Sequence, residues 1–313
     1  MTRKGLLALA LLLVALLAGW WFGRPMVQPQ PAPAAFWIPA LQGRVEQVTA
    51  IEVRRPGQPL VRLERHAQGW VLPAKADYPA DQASVARLLQ GLAAARKRHA
   101  ESFDQADEQA LQVRLELAGN PPLPLLIGNP AQQGGQRVRR ADEQQGWLID
   151  QTIELPANEL HWLDRRISAI AFATVRELVL EYSHERLSLF REQVAEPELR
   201  LRELPAGRQL AFASAASECA RLFADLQFSE VAPLAQVGFK GKPALRFRLE
   251  TFAGGSLAGE LFVQANQAWL VLTHSQGLTA QELPGKAGWI YRLEPEQYQA
   301  LAKKLTDLIV AKP

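Results

Sequence analysis

The side chains that could do chemistry are few and scattered. Five histidines, His66, His99, His161, His184 and His274, stand far apart, and none lies in the HExxH arrangement that sets two zinc ligands on one helix face. His161 and Asp164, at i, i+3 spacing, come nearest to a ligand pair, but on a short helix that spacing reads as a surface contact. A phosphate-binding loop needs GxxxxGK[ST]. Gly238-Phe239-Lys240-Gly241-Lys242 has the residue types without the spacing, and it reads as a loop between strands. No GxGxxG occurs. Gly254-Gly255-Ser256 approaches a nucleophile elbow, yet Ala258 stands where GxSxG requires its second glycine, and the flanking runs have strand character, so a hairpin turn is expected. Cys219 has no second cysteine to pair with, which excludes an intramolecular disulfide and a cysteine-based zinc cluster; a small buried helix residue is expected. Carboxylates are plentiful, but no pair singles itself out for acid–base work. The sequence therefore offers no catalytic, cofactor-binding or metal-ligating residue, and no cofactor is expected.

The aromatic residues lead to the same end. Trp70, Trp147, Trp269 and Trp289 each sit at strand positions among apolar neighbours, which favours core packing over a sugar-binding surface. Trp20, Trp21 and Trp37 are assigned to a membrane end.

The best-defined element is the stretch from Trp70 to Arg98. A short strand ends at Pro73, a turn carries Asp77, Tyr78 and Pro79, and a helix opens behind Asp81, whose carboxylate can accept free N–H groups of the first turn. Val85, Leu88, Leu89 and Leu92 then recur at i, i+3, i+4, i+7, one apolar stripe of an α-helix. Around it the pattern is strand-like. Val48, Ile51 and Val53 lead through Gly57 into a return from Leu60 to Arg65, and Val113, Leu115 and Leu117 alternate strictly. Further strands are expected over 123–127, 136–140 and 147–149, and Pro156 precedes a short helical stretch with Leu160, Trp162 and Leu163.

At the N-terminus, Gly5 to Phe22 carries no charge over 18 residues, with Arg3 and Lys4 before it and Trp20, Trp21 and Phe22 closing it. Eighteen helical residues span roughly 27 Å, enough to cross a hydrocarbon core. Bulky aromatics occupy the place of a small-residue cleavage site, so an uncleaved single-span anchor through residues 5–22 is the reading, with a cleaved secretory signal as its alternative. The flanking positive charges put the N-terminus in the cytoplasm and the body in the periplasm, at the inner membrane. Setting aside Arg3, Lys4 and Arg24 leaves 32 basic against 32 acidic residues, so the body is formally neutral and lacks the basic face that nucleic-acid binding needs. Pro25, Pro29, Pro31, Pro33 and Pro39 mark a stiff linker. Phe36, Trp37 and Ile38 interrupt it, at the membrane surface or docked on the body.

The pattern then recurs. Val48, Ile51, Val53, Leu60 and Leu63 are echoed 127 residues on by Val175, Leu178, Leu180, Leu187 and Phe190. Arg87-Leu88-Leu89 and Leu92 return 134 residues on as Arg221-Leu222-Phe223 and Leu226, which sets Cys219 at the place of buried Val85. Val113, Leu115 and Leu117 return after 132 residues as Leu245, Phe247 and Leu249, and Gly146-Trp147 as Gly288-Trp289. Pro156 recurs as Pro295, opening a C-terminal helix with Tyr298, Leu301, Leu305 and Leu308. The expected fold is α+β: a tandem duplication of a mostly antiparallel sheet unit with packed helices, behind one N-terminal transmembrane helix. The expected divisions are 1–24 anchor, 25–46 proline-rich linker, 47–168 first repeat and 169–313 second repeat.

The pieces Trp37-Ile38-Pro39-Ala40-Leu41, VTAIEVRR, GWVLP and YPADQASVARLLQGLAAAR, with GWLID and LHWLDRRI later, resemble the uncharacterised bacterial DUF4340 family over roughly residues 37 to 230. The second repeat has residues 198–205 where GWVLP would fall. The resemblance implies a single N-terminal span and genes beside ABC transporters of the gliding-motility type; it carries no catalytic residue. A membrane-anchored extracytoplasmic accessory or binding protein follows, without catalysis, holding the lipid bilayer through residues 5–22 and an ABC-type permease or its auxiliary subunit as membrane-protein partner. An envelope hydrolase acting on peptidoglycan or polysaccharide is the alternative. Acids converging in a deep cleft would favour the enzyme, and a shallow mixed patch the binder.

Overall fold

Strict alternation of apolar and polar residues, the period of a half-buried strand, builds most of the chain into antiparallel sheet. The computed structural model describes residues 34–102, 111–132, 134–239 and 241–312. The apolar run 5–22 lies outside them; among the described residues no helix is long and apolar enough to cross a membrane.

The first half contributes β1 (Val48–Arg54), β2 (Val61–His66), β3 (Gly69–Leu72), β4 (Tyr78–Pro79), helix α1 (Gln82–Ala94), β5 (Lys97–Glu101), β6 (Leu111–Leu117), β7 (Leu123–Pro130), β8 (Gln136–Arg140) and β9 (Gly146–Ile149). Its sheet runs β4-β3-β2-β1-β6-β7-β8-β9-β5. After β10 (Arg166–Ser168), the second half contributes β11 (Val175–Glu181), β12 (Arg186–Phe190), β13 (Arg200–Leu201), β14 (Arg208–Leu210), helix α2 (Glu218–Arg221), β15 (Leu226–Gln227), β16 (Glu230–Pro233), β17 (Leu245–Thr251), β18 (Ser256–Gln264), β19 (Gln267–Gln276) and β20 (Trp289–Leu293). Its sheet runs β13-β12-β11-β17-β18-β19-β20-β16. Apart from β4, the two orders match strand for strand, including the return of the strand after the helix to pair with the last one. The chain ends in α3 (Pro295–Leu301), α4 (Leu305–Leu308) and β21 (Ile309–Ala311), which pairs with β14.

Helix α1 forms as its sequence dictates. The Asp81 carboxylate accepts from the Ala83 N–H at 3.1 Å and from the Ser84 hydroxyl, and Val85, Leu88, Leu89 and Leu92 are buried. The Gln82 side chain stitches the helix to β3: its Oε1 accepts from Trp70 N–H, and its Nε2 donates to the carbonyls of Trp70 and Ala80. Gly69 is required beside it, because its φ is +121° and a Cβ there would stand 2.8 Å from Gln82 Oε1. Trp70 and Cys219 are both buried, as their places in the pattern predict.

Strand pairing corrects several readings. Ile51 pairs with Leu63 and Leu115, and Leu178 with Leu189 and Leu249, so Leu63 corresponds to Leu189 and Leu115 to Leu249. The β1–β2 turn is one residue longer than the β11–β12 turn. A one-residue slip exchanges the faces of a strand, and Leu60, matched in the sequence to a core residue, is 41% exposed. Trp147 corresponds to Tyr291 rather than Trp289, since they pair with Val138 and Leu270, which themselves face Ile127 and Leu261. Trp37 does not belong to a membrane end: it is 2% exposed, its backbone N–H donates to the Ala95 carbonyl, and Ile38 and Leu41 are buried with it. Trp269 is only half-buried, because it alternates with the inward Ala268 and Leu270. The C-terminal helix is broken, with Ala302 to Lys304 separating α3 from α4. The second half does have a counterpart of the GWVLP strand in β13, with buried Leu199 at the place of Trp70.

Candidate functional site

The sequence motifs resolve into structural parts. All five histidines are exposed. His161 Nδ1 lies 2.7 Å from Asn158 Oδ1 in a short 3-10 turn, while Asp164 bonds to Arg166 at 2.8 Å, so the two do not form a ligand pair. Burial pushes the Asp164 carboxyl up, but the Arg166 bonds outweigh it and hold the group below the ordinary carboxylate range. Gly254 and Gly255 form the β17–β18 hairpin turn, closed by Thr251 N–H on the Gly255 carbonyl, with Gly254 at φ +85°. Gly238 and Gly241 lie in the loop before β17; Lys240 between them is outside the described residues. Among the described residues no three His, Cys, Asp or Glu side chains gather as metal ligands.

The Cys219 thiol is fully buried, and burial pushes it up to about 12 from an ordinary value of 9.0. Tyr291 rises by burial to about 12 as well, and Tyr78 and Tyr182 are raised in the same way. Such groups keep their protons longer in the folded state than in the unfolded one. Their contribution to stability is complete below pH 9 and is lost as pH rises from there toward 12. We expect the thiol to resist alkylation in native protein at pH 8 and to react at once on denaturation, and the urea midpoint to fall steadily above about pH 9. Rapid native labelling, or a midpoint flat up to pH 11, would contradict this burial.

The outward face of each sheet is open to solvent. On the first, Arg62 stands at the centre of an ion cluster, 2.7 Å from Glu52, 2.7 Å from Glu64 and 3.0 Å from Glu116. Arg62 holds the Glu116 carboxyl below its ordinary range. Beside this cluster a shallow groove of about 440 Å³ opens where Pro124 and Ala141 stand among longer side chains; Arg54, Leu60, Gln112, Arg114 and Leu126 edge it. The second sheet carries a groove of about 340 Å³ edged by Glu181, Arg186, Arg246, Arg248 and Glu260 around the small residues Ala258 and Thr273.

The two grooves lie at matching positions of the two strand orders. Arg54 corresponds to Glu181, Gln112 to Arg246, Arg114 to Arg248, Pro124 to Ala258, and Leu126 to Glu260. Sequence reasoning missed both grooves. Their signal, small residues at outward strand positions, becomes legible only after the register is known. Beneath them the core compensates: Val113 and Leu125 of the first half become Phe247 and Gly259, and a Cβ on Gly259 would stand 2.6 Å from the Phe247 ring.

A further junction joins the halves. Tyr78 of β4 packs edge-on against Phe228, Trp289 and Tyr291 of the second half, with Lys75 Nζ 2.8 Å from Glu230 and 3.6 Å from Glu159.

A family model described as a domain of unknown function matches residues 70–248, from β3 across this junction into β17. No curated protein and no solved structure matches the chain.

Proposed function

Because the chain belongs to the family of the domain of unknown function DUF4340, we propose a function from its geometry: an anchored accessory protein of the cell envelope that works by contact rather than turnover. Residues 5–22 hold the bilayer as a single span, residues 25–46 follow it and dock on the body through Trp37, Ile38 and Leu41, and the body faces the periplasm as two copies of one α+β unit, 47–168 and 169–313. The recurrence of the same strand order in both sheets supports the duplication. The partner is a membrane protein, an ABC-type permease or its auxiliary subunit, and the neutral charge of the body speaks against nucleic acid.

One observation carries this reading. The grooves on the outward faces are shallow and mixed: the first is edged by Arg, Gln and Leu with Glu52 in its lining, the second by Glu181, Glu260 and three arginines, and each of these glutamates is held in an ion pair with an arginine. Such a surface suits a protein partner held at the same membrane, where tethering raises the effective concentration.

The test replaces residues 1–24 with a cleavable export signal and measures complementation at native abundance. The expected result is loss of function with a folded, stable body. Full rescue by the untethered body would overturn the reading in favour of a diffusible enzyme or binder.

A further inference from the structure

Within that accessory role, we propose that the groove of the first half is the docking site for an acidic segment of the partner protein, its carboxylates on Arg54 and Arg114 and an apolar side chain against Leu60 and Leu126. The second groove shows the argument by contrast. There every arginine has a carboxylate of the same chain: Arg248 lies 3.1 Å from Glu250, Arg246 2.7 Å from Glu260, and Arg186 3.7 Å from Glu181. The first groove has lost two of these three counterions, and the third is shared. Glu260 is replaced by Leu126 and Glu181 by Arg54. Glu116, the counterpart of Glu250, makes its hydrogen bonds to Arg62, whose place Ser188 holds in the second half, and Arg114 acts on it through charge alone, whereas Glu250 pairs directly with both Arg176 and Arg248. Glu52 is held by Arg62 too.

Among the described residues, Arg54 and Arg114 therefore make no ion pair and no side-chain hydrogen bond, although both edge the groove. Exposed leucine lies next to them, Leu60 at 41%. Guanidinium groups match carboxylates in a two-pronged geometry, and apolar neighbours strengthen such bonds by excluding water. The second half satisfies its groove with protein carboxylates, and the first presents the same strands with two of those carboxylates replaced by Leu126 and Arg54, leaving room for carboxylates supplied from outside.

The experiment uses the full chain in nanodiscs of neutral lipid and a fluorescent peptide of alternating Glu and Leu. Binding is expected, weakened roughly tenfold or more when Arg54→Gln and Arg114→Gln are combined. The matched pair Arg186→Gln and Arg248→Gln in the second groove should leave it unchanged. Denaturation midpoints check that both double variants fold. Absence of binding, or equal loss from either groove, overturns the proposal. So does displacement of the peptide by inorganic phosphate or by anionic vesicles at equal charge, which would make the site one for phosphate groups. The same Arg54→Gln, Arg114→Gln chain is tested for complementation with its anchor intact. Full rescue by it removes the groove from the function while leaving the tethering requirement to stand or fall by its own result.

Discussion

Tyr78→Ala is expected to lower the stability of the whole body by about 3–5 kcal/mol, the usual range for removing a buried large aromatic. Tyr78 is 2% exposed, and its ring lies 5.4 Å from Phe228, 4.9 Å from Trp289 and 6.3 Å from Tyr291, all in edge-to-face geometry. It stands on β4, the one strand of the first sheet without a counterpart in the second. The ring is thus a plug carried by one half and received by the other. The Lys75 ion pairs beside it are half-exposed and add little by comparison. Urea denaturation followed separately by tryptophan fluorescence and far-ultraviolet dichroism should give one transition in the parent chain. In Tyr78→Ala the midpoint should fall and the two probes should part, because the halves no longer unfold as a unit. Tyr78→Phe, which keeps the ring, should retain most of the stability. A midpoint unmoved by the alanine change would mean that the halves are held together elsewhere.

The sequence makes some of this architecture legible and hides the rest for definable reasons. Helix α1 is written in local terms, a cap at Asp81 and a stripe at helical spacing, and both act within one turn or two of themselves. Strand faces are legible too, because alternation reports them directly. Register is not. The period of a strand is two, so matching Leu115 to Phe247 rather than to its counterpart Leu249 leaves every side chain on its proper face and raises no alarm. The same two-residue slip matched Trp147 to Trp289. An odd slip is visible only after the fact, as with exposed Leu60. Trp37 was hidden by its setting among prolines, since nothing local tells a docked segment from a linker; the Ala95 carbonyl that receives it lies far along the chain. The grooves depend on register altogether, and so they belong to what pairing alone could disclose.

Arg191→Ala is expected to cost roughly 3–5 kcal/mol, several times more than the same change at its counterpart Arg65. Arg191 is 3% exposed and has no carboxylate within ion-pair distance among the described residues. Its guanidinium instead donates to three carbonyls: Nε to Val175 at 2.7 Å, Nη1 to Glu196 at 2.8 Å and Nη2 to Phe172 at 2.5 Å. The rings of Phe172 and Phe252 cover it at 4.9 and 5.6 Å. Desolvation by this burial draws its pKa below the ordinary arginine value. The 3-10 turn at Phe172–Thr174 that it clamps leads into β11, just as the turn at Val45–Gln47 leads into β1. In the first half Arg65 serves the equivalent turn, donating to the Glu46 carbonyl at 2.9 Å and pairing with the Glu46 carboxylate, and it does so in contact with water. Water can replace Arg65 on its carbonyl; around Arg191 the bond to the Val175 carbonyl is buried and those to Glu196 and Phe172 are part-buried, so water replaces this guanidinium less readily. Truncation at Arg191 leaves acceptors short of a donor and a cavity between two phenylalanine rings, whereas Arg65→Ala should cost about 1 kcal/mol. Arg191→Lys should recover only part of the loss, since one ammonium cannot reach three carbonyls set out for a planar fork. Paired urea midpoints for the three variants measure this directly, and equal shifts at Arg65 and Arg191 would show that burial does not set the difference between the two clamps.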